Sequence, residues 1–216
     1  MNKELQLLLN LINDPVQVEH DGFKFTTGVI GDCKVVAMQC GIGKVNAALG
    51  ATAMINNFQP SLIINTGVAG GTGHTHPLDV VIADSIAYHD TYCGPGTDWG
   101  EMADCPRYFK PTSEILSKAS EAVPDAKTGL VASGDFFVST PAEVDRIVTL
   151  HPQVIAVDME SAAIAHACFK RDIPFLCVRV ISDTPGQTDN LAQYENFWDD
   201  APRNTFRALT HIIEAL

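Results

Sequence analysis

Positive charge is scarce in this 216-residue chain: fourteen Lys and Arg stand against twenty-six Asp and Glu, for a net charge of −12. A surface of that sign does not wrap nucleic acid, and it has no attraction to an anionic membrane. Arginine is scarcer still, with six in all and the first at Arg107. Its planar fork is the usual clamp for a phosphate dianion, so a phosphate pocket built from the amino-terminal half is not expected. Six cysteines (Cys33, Cys40, Cys93, Cys105, Cys168, Cys177) form no CxxC pair, which leaves zinc ribbons and thioredoxin chemistry without support and predicts reduced, mostly buried thiols. Long apolar runs are missing too. None approaches the roughly eighteen residues needed to span a bilayer, and no charged segment leads into an apolar signal core. The expectation is a soluble, cytoplasmic protein with a small-molecule ligand and no metal or other cofactor.

The chain does have the composition of a packed globule, 46% hydrophobic and 19% charged, and its length suits a single domain over residues 1–216. A leucine-rich helix opens it and stops near Asn13-Asp14-Pro15, where proline cannot continue a helix. Phe23 to Ile30 and Lys34 to Gln39 read as a hairpin, and Lys44 to Phe58 reads as a helix between Gly43 and Pro60. Strands are predicted at Ser61 to Asn65, Asp79 to Tyr88, Thr128 to Ser133, Val154 to Val157 and Phe175 to Ile181. Helices are predicted near Thr112 to Ala122, at Pro141 to Leu150 with Thr140 as N-cap, at Met159 to Lys170 and from about Ala201. This alternation predicts an α/β fold with a mixed central sheet flanked by helices. Ligands in such sheets gather at the carboxyl ends of strands. Four polar or glycine-rich segments fall there: Gly67 to Gly71, Ser133 to Val138, Asp158 to Glu160, and Ser182-Asp183. The loop from His89 to Phe109 is longer than a connector requires, which points to a functional segment.

Each constellation has a plainer reading beside the functional one. Asp158 and Glu160 sit where a strand meets a helix; one acid suffices as a cap, which leaves the other free to bind a pair of hydroxyls. Asp183 leaves an apolar strand beside a Thr-Pro-Gly turn, where it either starts the turn or holds a proton through desolvation. Arg179 on the same strand is a buried charge that needs a partner. Gly41-Ile42-Gly43-Lys44 lacks both the third glycine of a dinucleotide fingerprint and the GK[ST] of a phosphate loop, so it reads as close backbone packing. His74-Thr75-His76 has no third ligand at a suitable spacing.

At GIGKVNAALGA (41 to 51), LIINTGVAGG (62 to 71), ADSIAYHD (83 to 90), SGDFFV (133 to 138), VDMESAAIAH (157 to 166) and VRVISD (178 to 183), the chain resembles the nucleoside phosphorylase/nucleosidase superfamily. Within it the chain is most similar to the 5′-methylthioadenosine/S-adenosylhomocysteine nucleosidases. The resemblance implies a three-layer fold, no cofactor, a nucleoside substrate and a homodimer. It assigns Asp183, oriented by Ser182, to protonating purine N7, and Glu4 to activating water, with Arg179 in the catalytic group. Glu160 would hold the ribose hydroxyls with Met159 and Met1 against the sugar. Phe137 would stack on the base, the Val138 main chain would read its edge, and Ala69, Gly70 and Ile42 would border the ligand. Family members open with a short apolar strand, so the resemblance also implies such a strand ahead of Met1.

Departures fall at Val68, where a serine is usual, at Ala103, where a proline is frequent, and in the shorter loop around Cys93-Gly94-Pro95-Gly96. That loop helps form the pocket for the 5′ substituent. A phosphorylase of the same superfamily and a non-catalytic nucleoside binder are the competing expectations.

Overall fold

The computed structural model describes residues 2–187, 190–200 and 202–216. Helix α1 (Asn2–Leu9) comes first, then a three-stranded antiparallel sheet of β1 (Asn13–His20), β2 (Phe23–Ile30) and β3 (Cys33–Met38) in the order β1-β2-β3. Helix α2 (Lys44–Phe58) follows within its predicted limits, and its last turn closes with Gln59 in the left-handed region, donating to the Ile55 carbonyl just before Pro60. The second sheet contains β4 (Ile63–Gly71), β5 (Val80–Tyr88), β6 (Lys127–Ser133), β7 (Val154–Asp158) and β8 (Phe175–Asp183). It closes on itself in the order β4-β7-β6-β5-β8. Helices α3 (Ser113–Ala122), α4 (Pro141–Leu150), α5 (Ser161–Lys170), α6 (Asn190–Asp200) and α7 (Pro202–Ala215) complete the chain.

Local chemistry sets most of these limits. The Thr112 side chain caps α3. At α4, Thr140 and Glu143 form a reciprocal capping box ahead of Pro141, which satisfies donors the first turn would leave open. Every residue of β8 is buried, as expected for a strand covered on both faces. It runs parallel to β4 and antiparallel to β5. The core under the sheet includes Ile86, Val131, Ala162 and Ile181. Among the described residues no helix is long and apolar enough to cross a membrane.

Three expectations need correcting. The first helix stops at Leu9, short of Asn13-Asp14-Pro15, which instead begins β1. Proline is tolerated there because β1 is an exposed edge strand whose register shifts between Asn13 and Val16. Gly67 to Gly71 is no loop: β4 continues through it, with Gly67 opposite Arg179 and Gly70 opposite Asp183 on β8. Glycine is required by packing, since a Cβ on Gly70 would meet Pro185 Cγ at 2.5 Å and one on Gly71 would meet Thr75 Oγ1 at 2.7 Å. The helix expected from Met159 starts at Ser161, with Glu160 at the N-cap, and α6 was not anticipated at all. The expected strand ahead of Met1, like Met1 itself, lies outside the described residues.

A cavity of about 1190 Å³ runs along β4 from Ser61 to Gly70 and extends to β3, α1 and α7. On one side β4 pairs with β8 over Ile63 to Gly70; on the other, among the described residues, only Gly70 and Gly71 pair, with β7.

Candidate active site

The carboxyl ends of β4, β7 and β8 converge at one end of this cavity. Asp158, at the end of β7, is the hub. It accepts from the Ser133 and Ser161 hydroxyls and from the main-chain N–H of Ser161 at 3.2 Å and Glu160 at 3.3 Å. Arg179 Nη2 lies 2.5 Å from the Asp158 carboxylate and donates to Asn65 Oδ1 at 2.6 Å and Ser161 Oγ at 2.9 Å. Burial opposes the Arg179 charge, but the Asp158 and Glu160 carboxylates outweigh it and raise the guanidinium pKa. The charged strand residue thus has its partner. Its Nε and Nη2 donors are committed to Ser161, Asn65 and Asp158.

That arrangement decides between the two carboxylates of the VDMES stretch. Asp158 performs the capping, and Glu160 makes no side-chain cap bond at all. Instead Glu160 reaches across to α2, where its Oε1 accepts the Gly43 N–H at 3.0 Å, and its Oε2 lies 4.0 Å from Arg179. Burial first and the Asp158 charge second raise its pKa. Gly41-Ile42-Gly43-Lys44 therefore does more than pack closely: it presents the α2 N-terminus to the site, with Lys44 N–H donating to Asp135 Oδ1 at 2.7 Å.

Asp183 ends β8 almost fully buried, and its pKa is raised by desolvation. The Ser182 hydroxyl donates to Asp183 Oδ1 at 2.5 Å, which fixes the carboxyl and leaves its second oxygen for a ligand. Glu4 arrives from α1, and its Oε1 accepts the Val68 N–H at 3.1 Å. Gly67 makes room for this approach. A Cβ there would run into Arg179 Nη1 and lie 2.9 Å from Glu4 Oε1.

Glu4, Glu160 and Asp183 all line the one cavity, together with Ile42, Ala69, Gly70, Phe137, Val138, Met159, Arg179 and Ser182. Phe137 is 47% exposed, whereas Val138 is buried beside it. Met1 lies outside the described residues. Among those described, the loop from His89 to Phe109 contributes nothing to the lining. It is tied to the site indirectly: Asp90 accepts from Lys44 Nζ at 2.8 Å and from Asp135 N–H at 2.8 Å. Sequence reasoning missed Asn65, Ser161 and Ser133 under Asp158, and Tyr194 of α6, whose ring stands edge-on to Phe137 at 5.9 Å. Tyr194 and Phe197, three residues apart on a helix, were the available signal. No cluster of His, Cys, Asp or Glu suited to a metal occurs among the described residues.

Residues 1–214 match the model of the phosphorylase superfamily. A 5′-methylthioadenosine/S-adenosylhomocysteine nucleosidase of Desulfotalea psychrophila is 35% identical across this whole chain and 95% of its own length. The chain belongs to this nucleosidase family. A solved nucleosidase from Colwellia psychrerythraea, in complex with adenine, superposes with a TM-score of 0.95 at 31% identity, over 100% of this chain and 92% of that one. The Neisseria meningitidis nucleosidase bound to methylthio-immucillin-A gives 0.95 at 30% identity, over 100% and 96%. Family membership accounts for the α/β scaffold with its mixed sheet and helical flanks.

Proposed function

We propose that this chain hydrolyses the N-glycosidic bond of an adenine nucleoside of the 5′-methylthioadenosine/S-adenosylhomocysteine type, releasing adenine. The convergence of Glu4, Glu160 and Asp183, from three separate elements, on a single cavity carries this reading. Cleavage of such a bond passes through an oxocarbenium-like ribosyl state, which needs an acid for the leaving base and a base for water. Asp183, kept protonated more readily by burial, is the acid: as the bond from C1′ to the purine breaks, its proton passes to N7. Glu4, held by the Val68 N–H, takes a proton from the water whose oxygen bonds to C1′. Glu160 accepts from the ribose 2′- and 3′-hydroxyls, with Met159 and Ile42 beside the sugar. Phe137 stacks on the base and the Val138 main chain meets its polar edge. Ala69 and Gly70 form the adjoining wall. Ser182 and Arg179 position the acids.

Water is the acceptor in this reading. The lining carries Arg179, committed to Asp158, and Lys34 on β3, but no pair of arginines for a dianion among the described residues. A homodimer is part of the proposal: Ile42, Val45 and Leu49 expose 59%, 69% and 56% of their surface along one face at the start of α2, and light scattering tests it. Adenine release from 5′-methylthioadenosine, with and without phosphate, tests the chemistry. Release independent of phosphate is expected. A phosphate requirement would make the protein a phosphorylase, and no release of purine from any nucleoside would leave a binder.

A further inference from the structure

Three charged side chains close a ring just outside the cavity and take no direct part in the reaction described above. Lys44, the first residue of α2, places its Nζ 2.8 Å from Asp90 Oδ2 and 3.8 Å from Asp135 Oδ2. Asp90, in the segment after β5, also accepts the Asp135 N–H at 2.8 Å, and Asp135 Oδ1, in the turn after β6, accepts the Lys44 N–H at 2.7 Å. Lys44 Nζ also stands over the Tyr88 ring, 5.6 Å from its centroid. The Lys44 and Asp90 side chains are only 26% and 16% exposed, so solvent and salt screen this pair less than an ordinary surface pair. Burial works against the Asp90 charge, but Lys44 and the Asp135 N–H outweigh it and lower its pKa. None of the three residues lines the cavity. What the ring holds is the residue next to Lys44. The Gly43 N–H meets Glu160 Oε1 at 3.0 Å, while Arg179 stays 4.0 Å from Oε2. Gly43 is the N-cap of α2, makes no side-chain cap bond, and sits in the left-handed region at φ 89°. Having no side chain of its own, it is fixed from outside, by the bonds that Asp135 and Asp90 make to Lys44.

Resting on the nucleosidase reading, this linkage bears on the sugar. A carboxylate that accepts from two neighbouring hydroxyls at once tolerates little displacement, because a small shift keeps one bond and loses the other. We propose that Lys44, Asp90 and Asp135 form a clasp that positions Glu160 through the Gly43 N–H, and that this clasp sets the chain's preference for a ribose over a 2′-deoxyribose. Lys44 and Asp90 are positioning residues in this scheme, since they act on the sugar through Glu160 alone.

The test compares kcat/KM for 5′-methylthioadenosine and for its 2′-deoxy analogue in the wild type, Lys44→Met, Asp90→Asn and the double variant, with a melting curve for each. Methionine keeps an apolar stem and removes the charge; asparagine keeps an acceptor for the Asp135 N–H. Each single variant should lower the methylthioadenosine value by about five- to twentyfold and the 2′-deoxy value by about twofold at most, so that the wild-type preference for ribose contracts. Both residues act through one link, so the double variant should lose no more than about twofold beyond the weaker single one. A merely structural role would lower both substrates in parallel. If the two values fall together, or neither changes, or the single losses multiply in the double variant, the clasp inference is wrong while the nucleosidase reading stands. Should Lys44→Met fail to fold, Asp90→Asn decides the matter alone. If the wild type handles the 2′-deoxy analogue as well as the ribose, Glu160 does not read the diol and the inference falls with that assignment. If the wild type releases adenine from neither substrate, the nucleosidase reading itself fails and takes the inference with it.

Discussion

The two ends of the cavity along β4 are built from opposite materials. Toward the carboxyl end of the strand, Asp158, Ser161 and Arg179, reaching back to Asn65, form a buried, hydrogen-bonded network, with Glu4, Glu160 and Asp183 poised over it. Toward the amino end, the wall is Leu8, Val35, Val36, Leu62 and Ile213, from β3, the helices α1 and α7 and the residue just ahead of β4. Both ends offer space, but only one offers directed charge. Volume alone would not separate them, whereas the number of committed donors and acceptors does, because buried charges persist only where partners hold them. Reactivity is therefore expected at one end and packing sensitivity at the other.

Asp183→Asn should break the polar end most severely, with turnover falling by about 10² to 10⁴ because a positioned proton donor is lost. Stability should move the other way. The folded pKa of Asp183 is raised, so its favourable contribution is present below the ordinary carboxyl value of 3.8 and is lost as pH rises through the folded pKa. At neutral pH the ionised form is a burden on the fold, and the asparagine variant should melt at the same temperature or higher. Near-normal activity would remove Asp183 from its role; a collapsed melting temperature would mean that it serves mainly to hold the fold.

Gly67→Ala should come next. The new methyl would strike Arg179 Nη1 and crowd Glu4 Oε1, and both are fixed by other bonds. A displacement of either acid or guanidinium by even part of an ångström should cost about tenfold to a hundredfold in kcat, together with a stability loss of about 1–3 kcal/mol. Activity and thermal melting measured side by side would show both changes. An alanine variant that melts and turns over like the wild type would mean the floor of the site is looser than its hydrogen bonds indicate.

How much of this contrast could be read from the sequence depends on range. Elements punctuated by their own residues were legible: α2 between Gly43 and Pro60, α4 from its Thr140-Pro141 start. So were Asp183 and Glu160 as candidates, from their places at strand ends. The division of labour between Asp158 and Glu160 was not, because it follows from Ser133, Arg179 and the α2 N-terminus, all remote in the chain. Continuous β4 was hidden by its glycines, which look like a loop until Pro185, Thr75 and Arg179 are seen packed where side chains would be. Tyr194 stayed hidden because α6 carries few local signals beyond its Tyr194 and Phe197 spacing.

Acid should also separate the two ends. His89, fully buried behind the polar network against Gly134 and Phe136, has its pKa lowered to about 4, chiefly by desolvation. A neutral imidazole in the fold contributes stability that is complete above the ordinary imidazole value of 6.5 and is lost as pH falls through about 4. Over that window the loss should reach about 2–3 kcal/mol relative to His89→Gln, which has no such titration. Melting curves of the two proteins between pH 7 and pH 4 should converge or cross as the wild type loses this term. A constant difference would show that His89 titrates normally.

The apolar end should give the smallest response, and one of a different kind. Val36 on β3 lines the cavity half-buried. Because one side of it already faces open volume, truncation removes contacts on the other side only, and Val36→Ala should cost about 1 kcal/mol. Turnover and its pH profile should be unchanged, since the distances among Glu4, Glu160 and Asp183 do not depend on this wall. Chemical denaturation and initial rates on the same preparation provide the measurement. A rate that fell along with stability would mean the two ends are mechanically coupled through α1, whose Leu8 packs at the apolar end one turn after Glu4 reaches the polar one.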